Sequence, residues 1–69
     1  MEIEKLLGKI EQKGFSNKEI AEKLDIAEST FYRKLKRKSF SVEEAQKMSE
    51  LLSLSAAEAY EIFFGKRLA

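Results

Sequence analysis

An all-α fold is what this sequence predicts, and three observations carry the prediction. The 69 residues contain no proline. Wherever an apolar period is clear, it is the i, i+3, i+4, i+7 spacing of one helical face. A serine stands three residues ahead of a glutamate at Ser16/Glu19, Ser41/Glu44 and Ser55/Glu58. In that arrangement each side chain satisfies a backbone N–H near the other at a helix start, and losing such a serine costs about 1 kcal/mol. A chain this short is expected to form one domain, residues 1–69. It buries only about 60% of its unfolded surface, so nearly every large apolar side chain is needed for the core.

The first helix is carried by Ile3, Leu6, Leu7 and Ile10. Glu2 and Glu4 suit its positive N-terminal end, and Gly14 is a natural stop in the left-handed conformation. Phe15 then falls where a hydrophobic residue packs back on a terminating helix. Ser16 opens the second helix, which buries Ile20, Ala21 and Leu24. Asp25 tolerates positive φ, so Leu24-Asp25-Ile26 reads as a tight turn into the third helix, Ala27–Lys38. There Ala27, Phe31 and Leu35 form one stripe toward a core. On the other side Ser29, Arg33 and Lys36 share an arc of about 60°, flanked by Tyr32 and Arg37.

Ser39-Phe40 breaks the chain before the fourth helix, which is expected to bury Val42, Ala45, Met48 and Leu52, with Leu51. The fifth starts at Ser55, and its apolar residues are Ala56, Ala59, Tyr60, Ile62, Phe63 and Phe64. Gly65 can end it, with Lys66 and Arg67 suited to its C-terminal end.

Composition excludes several classes of function. Without cysteine there is neither a disulfide framework nor a thiolate metal site, and without histidine the usual transition-metal ligands are missing. The one aspartate and the serines have no base beside them for nucleophilic chemistry, so an enzyme is not expected and neither is a cofactor. No stretch approaches a membrane span, and MEIEKLLGK lacks the basic start and long apolar run of a signal peptide. A cytoplasmic location is the expectation.

The net charge of +1 hides an asymmetry. Residues 32–38 contribute Arg33, Lys34, Lys36, Arg37 and Lys38 with no acid, while the flanking segments together carry −4. Cations collected in one place on a nearly neutral chain point to an anionic partner.

Two short helices joined by a tight turn, the second bearing a basic outward face, describe a helix-turn-helix. Ala21 sits where the two helices cross and permits close approach. The segment Ser16–Leu35, SNKEIAEKLDIAESTFYRKL, resembles the lambda-repressor-like, Cro-type helix-turn-helix family, most of all its small phage-associated members. The resemblance runs on through SVEEAQKMSELLSLSAAEAYEIFF and covers nearly the whole chain. It implies a compact five-helix bundle, a lambda-repressor-like DNA-binding domain, with the third helix in the major groove of double-stranded DNA.

By the same resemblance Glu28, Ser29 and Arg33 match base-contacting positions, with Tyr32 beside them. Asn17 lies where the family has a phosphate-donating Gln. Lys18, Thr30, Lys36, Arg37, Lys38 and Ser39 fall among the backbone contacts. The fifth helix is a common dimer contact, so Tyr60, Phe63, Phe64 and Leu68 are candidates for a homodimer interface. Such pairing places two recognition helices about 34 Å apart on a pseudo-palindromic site.

Four positions depart from the family pattern. Asp25 replaces a turn glycine, and Ala27 replaces the serine that caps the third helix. Arg37 stands in place of a glycine, which lengthens the helix or strains its end. Lys34 holds an often apolar place, leaving the packing to Leu35.

Each candidate has an alternative role. Arg33 is suited to guanine O6 and N7, or to an ion pair with Glu28 or Glu22. Ser29 can meet a base edge or cap its helix. Glu28 can accept from cytosine N4 or stabilise the helix N-terminus. Tyr32 can touch a thymine methyl or sugar, or pack over Lys36. Asn17 can donate to phosphate or cap the second helix in place of Ser16. For Lys36, Arg37 and Lys38 the choice is phosphate contact or solvated charge. The reading is a sequence-specific transcriptional regulator, a phage or prophage repressor or Cro-like protein, with no membrane or small-molecule partner. The rival is a helical protein–protein interaction module that kept the fold without DNA binding.

Overall fold

All three helix starts expected from a Ser/Glu pair are present in the computed structural model, which describes residues 1–65. The elements are α1 (Ile3–Gln12), α2 (Asn17–Lys23), α3 (Glu28–Arg37), α4 (Val42–Leu51) and α5 (Ala56–Phe64). Ser16, Ser41 and Ser55 accept from the N–H of Glu19, Glu44 and Glu58 at 3.1 Å. Each glutamate accepts in return from its serine N–H, at 2.8 to 3.0 Å. Ser16 is therefore the cap of α2, and Asn17 is its first helical residue.

The joints repeat one pattern: a left-handed residue, a hydrophobic residue, then the next N-cap. They are Gly14-Phe15-Ser16, Asp25-Ile26-Ala27 and Ser53-Leu54-Ser55, with φ of 79°, 59° and 53° at the first residue. The hydrophobic residue donates its N–H back to the ending helix: Phe15 to Ile10 at 3.1 Å, Ile26 to Ala21 at 3.0 Å and Leu54 to Ser49 at 2.9 Å. Two carbonyls left open by each helix end are closed in this way, and the hydrophobic side chain is set against the core. The α3–α4 joint has one residue more, with Lys38 left-handed at φ 54° and Ser39 donating to Lys34 at 3.0 Å.

The core is Leu6 and Ile10 of α1, Ile20, Ala21 and Leu24 around α2, Phe31 and Leu35 of α3, Met48 and Leu52 around α4, and Ile62 of α5. Helix α2 packs on α3, while α5 packs on both α1 and α4. The α1–α5 seam is closed by Glu2, whose N–H donates 2.7 Å to the Ile62 carbonyl. Lys5 pairs with Glu61 on the same seam, and Lys9 with Glu58 at 2.6 Å.

Two expectations are corrected. Val42 is 80% exposed. It follows the Ser41 cap directly and points outward, while Phe40, one residue ahead of the cap, packs on the core. Ala27 is exposed, because it is the extended N-cap of α3 and not part of its buried stripe. At the end of α3, Arg37 stays helical and the left-handed residue is Lys38 at φ 54°, so the strain expected where a glycine is missing falls one residue later. In α5, Ala56 and Phe64 are exposed, Tyr60 is half-buried, and Phe63 packs against the core. Lys66, Arg67 and Leu68 lie outside the described residues. No helix among the described residues is long and apolar enough to cross a membrane.

Candidate nucleic-acid interface

Helix α3 is seated by two buried residues one turn apart. Phe31 is fully enclosed, with its ring 5.6 Å from that of Phe40, and Leu35 is buried below it. Arg33 lies midway between them in sequence, so it projects about 160° away from both. Ser29, Tyr32, Lys36 and Arg37 are exposed with it. Its N-cap, Ala27, offers no side-chain hydrogen bond, so the first turn of α3 begins with open backbone donors and Glu28 on its positive end. Ser29 does not supply the missing cap.

The five cations of residues 32–38 divide into two groups. Lys34 turns away from the exposed face and donates to Glu44 Oε2 at 2.6 Å, with the carboxylate side chain only 13% accessible. Burial pushes the Glu44 carboxyl upward. The hydrogen bonds from Lys34 and from the Ser41 backbone, with the Lys34 charge, outweigh it and hold the group below its ordinary value. Arg33, Lys36, Arg37 and Lys38 form no ion pair among the described residues, so the pairing of Arg33 with Glu28 or Glu22 is not the one adopted. Three of these four cations, Lys36, Arg37 and Lys38, stand at the negative C-terminal end of α3, where positive charge is favoured.

Tyr32 and Glu28 are joined, the tyrosine hydroxyl donating to Glu28 Oε2 at 3.1 Å. The Tyr32 ring stands edge-on to Phe31, with centroids 6.3 Å apart, so this exposed pair is braced from the core. Lys18 is exposed beside the half-buried Asn17 on the first turn of α2, Thr30 is half-buried, and Ser39 is exposed in the joint after Lys38. The i, i+4 spacing of Glu28 and Tyr32 was a visible signal for their bond. Lys34 stands three residues after Phe31, on the core side of the arc, but its partner Glu44 lies in the next helix and is not marked locally.

Together these residues make an exposed helical surface with polar groups at its start and, toward its end, four cations that are unpaired among the described residues. Such a surface can sit against a phosphate-lined groove and present short polar groups and a guanidinium to base edges. Among the described residues no cluster of acidic side chains is placed to hold a metal ion. The family model of the bacteriophage CI repressor helix-turn-helix domain matches residues 3–58, which spans α1 to the first turn of α5. Comparison with curated proteins and with solved structures gave no match. With its five helices, its turn at Asp25 and that match over most of its length, the chain belongs to the bacteriophage CI repressor helix-turn-helix domain family.

Proposed function

We propose that this chain is a sequence-specific double-stranded DNA-binding regulator of transcription, a phage or prophage repressor or Cro-like protein that acts by occluding a promoter. The observation that carries the reading is the outward face of α3, where Arg33, Lys36, Arg37 and Lys38 are exposed and unpaired opposite Phe31 and Leu35. In this reading α3 enters the major groove with its first turns against the bases. Glu28, Ser29, Tyr32 and Arg33 read base edges. Asn17, Lys18, Thr30, Lys36, Arg37, Lys38 and Ser39 lie along the phosphates. A homodimer joined through α5 is part of the proposal, supported by Phe64, which is 63% exposed with its ring 5.0 Å from that of Tyr60.

The test is a titration of the full chain, and of Arg33→Ala, against random duplex and against duplex enriched from a random pool. Binding of random duplex that falls steeply with salt is expected. Arg33→Ala should lose about 1–3 kcal/mol on the enriched sequence and much less on random DNA. No binding to random duplex even at low salt would instead favour the protein–protein interaction module.

A further inference from the structure

We propose that Tyr32 is a positioning residue whose hydroxyl holds the Glu28 carboxylate so that its other oxygen accepts from the N4 amine of a cytosine. The inference rests on the DNA-binding reading above and adds to it the base and the device that selects it. A carboxylate on a DNA-facing helix repels phosphate, so its presence calls for a donor on the DNA side. Among base edges in the major groove, the cytosine N4 amine is the donor that a carboxylate matches.

The structure gives Glu28 the restraint that such a role requires. One oxygen, Oε2, takes the Tyr32 hydroxyl at 3.1 Å, and Oε1 has no hydrogen bond among the described residues. Tyr32 is in turn fixed edge-on to Phe31, which is wholly buried. A line of contact therefore runs from the core through the Tyr32 ring to the Glu28 carboxylate. It removes rotamers that a lone exposed glutamate would sample and keeps the second oxygen presented at the start of α3. Only a bond to the carboxylate, and no new charge, is introduced by Tyr32.

Arg33 follows Glu28 by five residues, a rise of about 7.5 Å along the helix and a turn of about 140° around it, so the two side chains are set to reach different base pairs.

Selection of bound sequences from a randomised duplex pool tests this, using the full chain, Tyr32→Phe, Glu28→Gln and Arg33→Ala. The unsubstituted chain should enrich a cytosine and, at a different position, a guanine whose enrichment Arg33→Ala removes. Tyr32→Phe, which removes only the hydroxyl, should lower the cytosine preference about five-fold or more, and by far more than it lowers the guanine preference. Glu28→Gln should replace that cytosine by adenine, since an amide side chain matches adenine N6 and N7. An enriched pool that neither Tyr32→Phe nor Glu28→Gln alters overturns the inference and leaves the DNA-binding reading standing. So does a Tyr32→Phe pool that loses preference at every position alike. A pool that the unsubstituted chain does not enrich overturns both.

Discussion

Lys34 and Glu44 are joined by a 2.6 Å hydrogen bond that makes one carboxylate serve two helices. Glu44 Oε1 accepts from the Ser41 N–H at 2.8 Å to close the start of α4, while Oε2 accepts from Lys34 of α3. Glu58 repeats the arrangement, with Ser55 on one oxygen and Lys9 of α1 on the other. Glu19 closes the start of α2 with the same box, and among the described residues its other oxygen takes no lysine.

Substituting Glu44 separates its two roles. Glu44→Gln keeps an acceptor for the Ser41 N–H and loses the charge, whereas Glu44→Ala loses both. Urea unfolding should show about 1–3 kcal/mol of destabilisation for Glu44→Ala, and less for Glu44→Gln. Equal losses in the two variants would mean that the cap hydrogen bond contributes nothing beyond the Lys34 pairing, and no loss in Glu44→Gln would mean that the charge contributes nothing beyond the cap.

Acid should unfold the protein through these same carboxylates. The hydrogen bond from Lys9, then those from the Ser55 backbone and hydroxyl, and the Lys9 charge, hold the Glu58 carboxyl at about 2 against an ordinary 4.5. Glu44 is lowered as well. Because both folded values lie below the unfolded ones, their stabilisation is present above pH 4.5 and is lost as pH falls below it, for Glu58 over a range that reaches down toward 2. With no histidine in the chain, melting temperature should be flat from about pH 6 to 7. Glu58→Gln should make the acid slope shallower, and an unchanged slope would remove Glu58 from this account.

Two glycines should respond to alanine with opposite signs. A Cβ at Gly8, in the middle of α1, would meet nothing within 4 Å, so Gly8→Ala should stabilise by about 0.5–1 kcal/mol. Gly14 has a φ of 79°, and Gly14→Ala should destabilise by about 1–2 kcal/mol. Thermal melts of the two variants, one above and one below the unsubstituted chain, are the check.

Lys38 places stability and binding in opposition. As a non-glycine residue at φ 54° it carries a left-handed strain that glycine would relieve, so Lys38→Gly should raise stability by about 1 kcal/mol. If Lys38 meets phosphate, the same change should weaken binding to all DNA sequences alike and reduce the slope of log affinity against log salt by about 0.9. A variant that gains stability and keeps the full slope would take Lys38 out of the phosphate contacts.

The parts of the fold that could be read from sequence are those governed by neighbours along the chain. Capping boxes, the turn at Asp25 and the arc of Ser29, Arg33 and Lys36 depend on spacing alone, and the structure contains each of them. Val42 misled because the helical period was carried one residue too far toward the cap, where Phe40 already fills the core. Lys34 belongs to the cation cluster but stands outside the outward arc; what sequence could not supply is its partner, because Glu44 already has a local role at the start of α4. The bond between Tyr32 and Glu28 is local and was open to reading, but both residues already had a place as separate candidates for base contact.

The seam between α1 and α5 has a consequence for the order of events. The Lys9–Glu58 and Lys5–Glu61 pairs join residues 49 and 56 positions apart, while α2 and α3 adjoin through a single turn. Closing a long loop costs more entropy than closing a short one, so the seam is the contact least rewarded early in folding. During synthesis, Leu6 and Ile10 of α1 emerge first yet wait for Ile62 of α5, which emerges among the last of the described residues. The α2–α3 pair is thus in position to assemble on a growing chain, and the α1–α5 seam can close over it only once Ile62 is free to meet α1.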